Sequence, residues 1–376
     1  WDCLNVTIPY KKAVMPYLSE ISSEAQSIGA VNTITHLPDG GLRGDNTDYF
    51  GLDHMIRKSG VDVAGKVALV LGNGGAAATA VAVLRDRGAR VVLLARSDVA
   101  VGGILPERFE TVYERHPDAA VAVNCTPLGM YPRFVGESPI DPAKLPGLQA
   151  VFDMVYNPAR TALMQAAAAQ GIPVYNGLSM LVAQAARASE IFRGLPHDPD
   201  CETMIDRIVA DMARRTANIV LVGMPGCGKS TIAARLADVL DRPLLDTDAM
   251  VIEADGRPIP TIFAEEGEEA FRLLETEAVR KAGMSSGAVI ATGGGVVTQE
   301  RNRAPLAQNG RIVFIERALD RLPTKGRPLS EAHPLADMYA KRLPLYRAFA
   351  DVTVDNNGSI EETVRSILST LGYAAP

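Results

Sequence analysis

Two periods of apolar residues alternate along this chain. Short β-branched runs nearly free of charge are followed, repeatedly, by stretches with helical spacing. The runs at 66–71, 91–95, 119–123, 150–155 and 173–175 are largely apolar, as strands covered on both faces are. Between them the spacing predicts helices ending at residue 87 and spanning 161–170 and 179–192. The same rhythm returns with strands at 219–222, 244–248, 288–292, 311–315 and 352–354. Such alternation predicts an α/β class, parallel sheets covered by helices, with ligands at the carboxyl ends of the strands.

Residues 1–50 depart from this rhythm. They read as a strand over 5–9, a helix over 13–27, a β-prone run over 30–36, and a Pro38-Asp39-Gly40-Gly41 turn before another short strand. Asn5, Thr7, Lys11, Asn32, Asp45, Asn46, Thr47 and Asp48 gather where these elements end. A polyhydroxylated small molecule suits so many donors and acceptors; solvated surface charge is the plain alternative. The run from Gly194 to Asp200 is rich in proline and charge and reads as a linker, before an amphipathic stretch over 204–214.

Two glycine turns carry the chemistry. After the apolar run at 219–222, Gly223, Gly228, Lys229 and Ser230 fit G-x-x-x-x-G-K-[ST]. Glycines let backbone N–H groups turn inward, and a helix N-terminus adds positive partial charge where phosphates would sit. Lys229 brings a point charge to those phosphates and Ser230 a hydroxyl for Mg²⁺. A glycine-rich turn that binds nothing is the bland alternative, and the strand–loop–helix setting weighs against it. The second turn, Gly72-Asn73-Gly74-Gly75-Ala76, lies between a buried strand and an alanine-rich helix, the opening unit of a dinucleotide-binding fold. Where that unit's second strand ends, Arg96 and Ser97 stand in place of a carboxylate, which favours NADP; Asp98 keeps NAD open.

Composition narrows the partners. The 376 residues allow two or three compact units, and 47% hydrophobic with 22% charged residues describes a globular protein. A net charge of −6 argues against nucleic acid and anionic membranes. The apolar window from Val67 to Leu84 is broken by Asn73, Thr79 and three glycines, so it reads as two buried elements rather than a membrane span. Cys3, Cys125, Cys201 and Cys227 are scattered, with no CxxC spacing, which fits a reducing cytoplasm and no zinc site. No secretory signal is visible. The chain opens at Trp1 inside a strand-like run and reads as a fragment without its natural beginning. Nothing in the sequence specifies an oligomeric state.

The pieces GMPGCGKST, LLDTDAMVIE, GRPIPTIFAEEGEEAFRLLE, ATGGGVV, GRPL and KRLPLYRAFADVTVD run in order through the second half. Together they closely resemble shikimate kinase. The first half, through NVTIPYK, GAVNT, GDNTD, LGNGGAA, NCTPLGM, FDMVYNP and GLSMLVAQA, resembles shikimate dehydrogenase. That family opens with a further strand and helix carrying serines, and no such stretch is present here.

The resemblances imply a domain plan. Residues 1–50 and 177–213 form a substrate lobe, 51–176 a Rossmann-like NADP-binding domain, 194–216 a linker region, and 217–376 a P-loop kinase domain like those of the nucleoside-monophosphate kinases. They also imply NADPH-dependent reduction of 3-dehydroshikimate followed by ATP-dependent, Mg²⁺-assisted phosphorylation of shikimate. An active kinase carrying an incompetent or regulatory dehydrogenase-like module is the alternative, and a P-loop ATPase or GTPase switch is a further rival.

Residue by residue, Lys11 and Asp48 match the dehydrogenase's catalytic pair, and Thr7, Asn32, Tyr156 and Gln184 match its substrate contacts. Gly72, Gly74, Gly75, Ala76, Arg96, Ser97, Asn124, Thr126, Gly177 and Met180 match the NADP side. In the kinase, Gly226, Cys227, Gly228, Lys229, Ser230 and Thr231 match the ATP cradle, and Ser230 and Asp246 the metal side. Asp248 matches the carboxylate facing the shikimate 3-hydroxyl, and Arg272 and Arg342 the carboxylate clamp, with Gly294 and Gly295 closing over the ring. Arg327 matches the lid arginine at the transferred phosphoryl group, and Arg321 is the candidate adenine-side arginine. Without the resemblance, Arg272 in its Glu-rich setting would read as a surface ion pair. Asp246 and Asp248, read as residues of one strand, are expected to face opposite sides and so to hold separate roles.

Overall fold

The computed structural model describes residues 1–7, 9–322 and 335–373. The chain forms two compact units, Trp1–Met212 and Ala213–Pro376.

The first unit begins with a four-stranded sheet made from β1 (Cys3–Asn5), β2 (Glu20–Ile21), β3 (Thr33–His36) and β4 (Leu42–Asp45), in the order β1-β3-β4-β2. Helices α1 (Ser23–Ile28) and α2 (Thr47–Ser59) accompany it. The helix expected over 13–27 does not form as one piece. Pro16 sits in a short 3₁₀ turn, Met15–Tyr17, and only Ser23–Ile28 is α-helical, capped by the Ser22 side chain. Backbone N–H groups of Ser19 and Ser22 donate to the carbonyls of Leu42 and Gly44. Pairing with β4 has overridden local helical propensity, and proline had already weakened it.

A parallel five-stranded sheet follows. Its strands are β5 (Val67–Leu71), β6 (Arg90–Leu94), β7 (Val121–Asn124), β8 (Ala150–Asp153) and β9 (Val174–Asn176), in the order β6-β5-β7-β8-β9. β5 is buried at every residue because hydrophobic clusters cover both faces of the sheet. The crossovers contain α3 (Gly75–Asp86), α4 (Val112–Arg115) and α5 (Ala162–Ala169). Then α6 (Leu178–Phe192) returns to pack along α2, which brings the substrate-lobe strands beside the carboxyl ends of this sheet.

Most of the stretch expected as linker is helix α7 (Cys201–Thr216). Its amphipathic face buries Ile205, and Lys58 pairs with Asp206 at 2.8 Å. Ahead of it, the buried Glu190 accepts from the Asp198 backbone N–H at 3.2 Å, so the Pro-rich run is tied down rather than free.

The second unit holds another parallel sheet: β10 (Asn218–Val222), β11 (Leu244–Asp246), β12 (Val289–Ala291), β13 (Gly310–Glu316) and β14 (Val352–Asp355), in the order β11-β12-β10-β13-β14. Around it lie α8 (Lys229–Leu240), α9 (Thr247–Asp255), α10 (Ile259–Gly283), α11 (Arg303–Asn309), α12 (Leu335–Phe349) and α13 (Ile360–Thr370). β10 is the central, fully buried strand. The Glu-rich run straddles a break between two helical segments, and Glu268 opens the second. It lies inside α10, which breaks at Gly267, where φ is 84° and ψ 180°.

Asp246 and Asp248 do not face opposite sides of one strand. Residues two apart on a strand share a face, and the strand ends at Asp246. Asp246 caps α9, accepting from the N–H groups of Asp248 and Ala249, and Asp248 stands in the first helical turn. Their separation comes from the strand-to-helix transition.

Candidate active sites

In the first unit, a cavity of about 800 Å³ opens at the carboxyl end of the parallel sheet. β4 leads directly into α2, and Asn46 caps that helix by accepting from the Asp48 N–H at 3.0 Å. This turn directs Asp48 at Lys11, and the Lys11 Nζ to Asp48 Oδ2 distance is 2.6 Å. Both side chains are about a quarter exposed, at 25% and 23%, so the pair is reachable by a ligand yet shielded from bulk water.

Thr7, Lys11, Asn32, Asp48, Gly75, Ala76, Tyr156, Gly177, Met180 and Gln184 all line this cavity. Asn32 and Gln184 meet at Thr47, one of the polar residues gathered where the first elements end. Thr47 receives a hydrogen bond from Asn32 Nδ2 at 3.2 Å and donates to Gln184 Oε1 at 3.2 Å.

Gly72, Gly74, Arg96, Ser97, Asn124 and Thr126 are not on the cavity wall. Gly72 has a φ of 105°, and a Cβ there would meet Thr126 Cγ2 at 3.1 Å. Gly74 caps α3 without any side-chain hydrogen bond, and a Cβ on Gly74 or Gly75 would meet nothing within 4 Å. That open, uncapped helix N-terminus fits a pyrophosphate. Asn73 Nδ2 holds Ser97 Oγ at 2.7 Å, and Arg108, which the sequence reading did not single out, donates to the Arg96 carbonyl and pairs with Asp98 at 2.8 Å.

Asn124 is fully buried and committed to its neighbours. It donates to Asp153 at 2.9 Å and accepts from Thr126 Oγ1 at 2.7 Å. Burial lifts the Asp153 carboxyl to about 6, against the hydrogen bonds from Thr161, the Val155 N–H and Asn124 that favour its charged form.

In the second unit, a cavity of about 550 Å³ is lined by both the phosphate-loop residues and the proposed acceptor residues. Gly226 and Gly228 adopt φ of 83° and 99°, conformations that favour glycine, and α8 begins without a side-chain cap. Lys229 is 8% exposed and its Nζ donates to the carbonyls of Gly223 at 2.8 Å and Met224 at 3.1 Å. Those contacts are ones a phosphate can replace. Ser230 and Thr231 line the cavity, and Ser230 Oγ donates to Asp246 Oδ2 at 3.2 Å.

Among the described residues no group of three or more His, Cys, Asp or Glu is arranged for a metal. A hydroxyl beside one carboxylate suits Mg²⁺, which keeps several waters and takes phosphate oxygens. Cys227 buries its thiol in the hydrophobic core and contributes only its backbone to the loop.

Across the cavity, Arg272 is 4% exposed and pairs with Glu275 and Glu268, each at 2.8 Å. It is therefore a buried side chain and not the surface ion pair its setting suggested. Burial opposes the Arg272 charge, but the two glutamates hold its pKa above the ordinary value. Burial raises the Glu275 carboxyl, Arg272 works to lower it, and neighbouring Asp248 raises it further. Glu275 is the residue that sequence reasoning passed over, because it looks like any helical surface acid.

The glycines are demanded by close approach. A Cβ on Gly293 would come within 2.6 Å of Asp248 and 2.8 Å of Glu275, and one on Gly295 would collide with the Arg272 guanidinium. Arg342 Nη1 donates to the Gly294 carbonyl at 3.2 Å, and the buried Tyr346 hydroxyl donates to the same atom. Asp248, Arg272, Gly294, Gly295 and Arg342 thus share one cavity with Lys229 and Ser230. Arg321 is not on this wall and donates to the Asn357 carbonyl, just past the carboxyl end of β14. Arg327 lies outside the described residues.

No described helix is long and apolar enough to cross a membrane.

Comparison with known proteins agrees with the two-part geometry. A family model described as shikimate kinase matches residues 225–372, and one described as shikimate dehydrogenase substrate binding domain matches residues 1–34. The NADP⁺ shikimate dehydrogenase of Oleidesulfovibrio alaskensis is 44% identical over 198 residues, covering 51% of this chain and 70% of that protein. Its counterpart in Clostridium beijerinckii is 39% identical over 194 residues, covering 50% of this chain and 71% of that protein. Among solved structures, a chorismate mutase/shikimate 5-dehydrogenase fusion protein from Clostridium acetobutylicum is similar with a TM-score of 0.51 at 37% identity. That match covers 56% of this chain and 75% of the other.

Proposed function

The chain belongs to the shikimate dehydrogenase family and carries a shikimate kinase region behind it, and from that premise we propose that it catalyses two consecutive steps. These are the reduction of 3-dehydroshikimate to shikimate and the phosphorylation of shikimate at O3. The observation that carries the reading is a shared wall: Asp248, Arg272 and Arg342 line the same cavity as Lys229 and Ser230.

In the first unit, NADPH would supply the hydride, with its pyrophosphate held at the uncapped start of α3. Lys11 donates a proton to the carbonyl oxygen as it becomes an alkoxide, and Asp48, 2.6 Å away, keeps the ammonium aimed. Thr7, Asn32, Tyr156 and Gln184 hold the ring hydroxyls. Arg96 and Ser97 take the 2′-phosphate of the adenosine ribose, and Gly72, Gly74, Gly75, Ala76, Asn124, Thr126, Gly177 and Met180 shape the rest of the NADP site.

In the second unit, ATP is the phosphoryl donor. Arg272 and Arg342 bind the shikimate carboxylate in fork geometry, and Gly294 and Gly295 lie over the ring. Asp248 accepts the proton of the 3-hydroxyl as that oxygen attacks the γ-phosphorus. Lys229 leaves the Gly223 and Met224 carbonyls for the phosphate oxygens, and Arg327 neutralises charge on the transferred group. Ser230 and Asp246 would hold Mg²⁺, which screens the same phosphates. Catalysis at this site is positioning and electrostatics, with no covalent intermediate on the protein.

The substrates are therefore small molecules, not nucleic acid, in keeping with the net charge of −6. The four free cysteines suit a cytoplasmic enzyme. The test is a one-pot reaction of the purified chain with 3-dehydroshikimate, NADPH and Mg·ATP. Absorbance should report NADPH loss, and mass spectrometry should find shikimate 3-phosphate. Persistence of NADPH would remove the first activity, and accumulation of unphosphorylated shikimate the second.

A further inference from the structure

We propose that Arg317 binds the nucleoside end of ATP, at its α-phosphate, an inference that rests on the kinase reading of the second unit. The sheet order β11-β12-β10-β13-β14 sets the direction in which the nucleotide must lie. The acceptor side of the cavity is built from Asp246 and Asp248 after β11 and from Gly293–Gly295 after β12. The phosphate loop follows β10, the next strand. A triphosphate whose γ end meets the acceptor therefore runs its nucleoside over the ends of β13 and β14. Arg317 is the first residue after β13, and Asn356 and Asn357 are the first after β14.

Of these side chains, Arg317 is the one with a buried donor left without a partner among the described residues. Asn356 is spent on the Cys227 carbonyl and the Thr363 hydroxyl, and Arg321 is turned to the Asn357 carbonyl. The adjacent carboxylate, Glu316, is paired with Arg347 at 3.0 Å. Arg317 Nε is buried with no hydrogen-bond partner among the described residues. Its Nη1 lies 3.8 Å from where a Cβ on Gly228 would stand, beside the first residues of α8.

Arg317, Lys229 and an uncapped helix N-terminus thus place three positive groups around one loop. Each disfavours the others until a polyanion arrives, and an unpaired buried donor adds its own desolvation cost. A guanidinium fork suits phosphate oxygens better than an ammonium does. The α-phosphate is the anion within reach on the nucleoside side, and it settles both the charge and the orphaned N–H.

The test uses the full chain with NADP⁺ at saturation, so that the adenosine site of the first unit is filled, and ADP as the titrant. Arg317→Ala should raise the calorimetric Kd for ADP about tenfold, with KM for ATP rising in step. KM for shikimate and the phosphorylation kcat at saturation should not change. Arg317→Gln keeps the bulk and should show the same loss, and Arg317→Lys should recover part of the affinity. Unaltered ADP affinity in folded Arg317→Ala and Arg317→Gln would overturn the proposal. So would an equal loss of shikimate and ADP binding, which is what a merely structural side chain would give. If the wild-type chain binds ADP but never phosphorylates shikimate, the kinase reading falls, while the titration still decides the role of Arg317.

Discussion

Arg272 Nη1 and Glu275 Oε2 stand 2.8 Å apart with side chains only 5% and 1% exposed, one helical turn apart on α10. The glutamate fixes the guanidinium that faces the second cavity, and removing its charge leaves Arg272 to the exposed Glu268. Glu275→Gln should therefore raise KM for shikimate about tenfold or more and leave ADP affinity as it was. Equal shikimate KM in the two proteins would show that Arg272 needs no such support.

Gly295 reaches the same guanidinium from the other side, and its backbone is ordinary, with φ of −97°. Any effect of Gly295→Ala is therefore steric and not a matter of conformational freedom. The added methyl collides with the Arg272 guanidinium, which must move to admit it. The expected result is loss of shikimate binding by about tenfold or more, with thermal stability little changed. Unimpaired turnover in this variant would mean that the arginine can shift without consequence.

Much of this architecture can be read from the chain, and the exceptions share a cause. The phosphate loop and the strand–helix alternation are local patterns, so residues 219–231 and the strands of both parallel sheets are visible in sequence. The 13–27 stretch misleads because its outcome is decided by Ser19 and Ser22 pairing with β4, a partner more than twenty residues away. Glu275 and Arg317 resemble surface polar residues until folding buries atoms of each beside a site. Cys227 lies within the loop motif, yet its side chain belongs to the core. Contacts closed by tertiary packing leave no periodic trace, and the pairing of Lys11 with Asp48, 37 residues apart, enters the sequence reading only through family resemblance.

That pair gives a test separating the two units. Asp48→Asn keeps the shape but removes the charge that holds the Lys11 ammonium in place. Reduction of 3-dehydroshikimate should slow by roughly 10²- to 10⁴-fold, and Lys11→Met should do the same. Phosphorylation of added shikimate should proceed at the wild-type rate in both variants. A matching loss of kinase activity would show that these residues act on the fold rather than on the hydride-transfer step.

Asp153 supplies a pH-dependent prediction about stability. Its carboxyl is raised from 3.8 to about 6 in the folded chain, chiefly by burial. Between those values the native protein holds a proton that the unfolded chain has released, so stability falls as pH rises through this window. The full penalty stands at neutral pH and vanishes below about pH 4. Asparagine at this position can still accept from Asn124 and the Val155 N–H through its oxygen, and can donate to the Thr161 hydroxyl, which now accepts where it donated before. Allowing for that reversed bond, Asp153→Asn should stabilise the first unit at pH 7 by on the order of 1–3 kcal/mol. Hydrogen exchange read by mass spectrometry over β8, which carries Asp153, reports the unfolding of that unit. Denaturant titrations at pH 7 and pH 4.5 should show the advantage shrinking at the lower value. An advantage of equal size at both would mean that Asp153 is already ionised at no cost, and that its burial is compensated by the three donors around it.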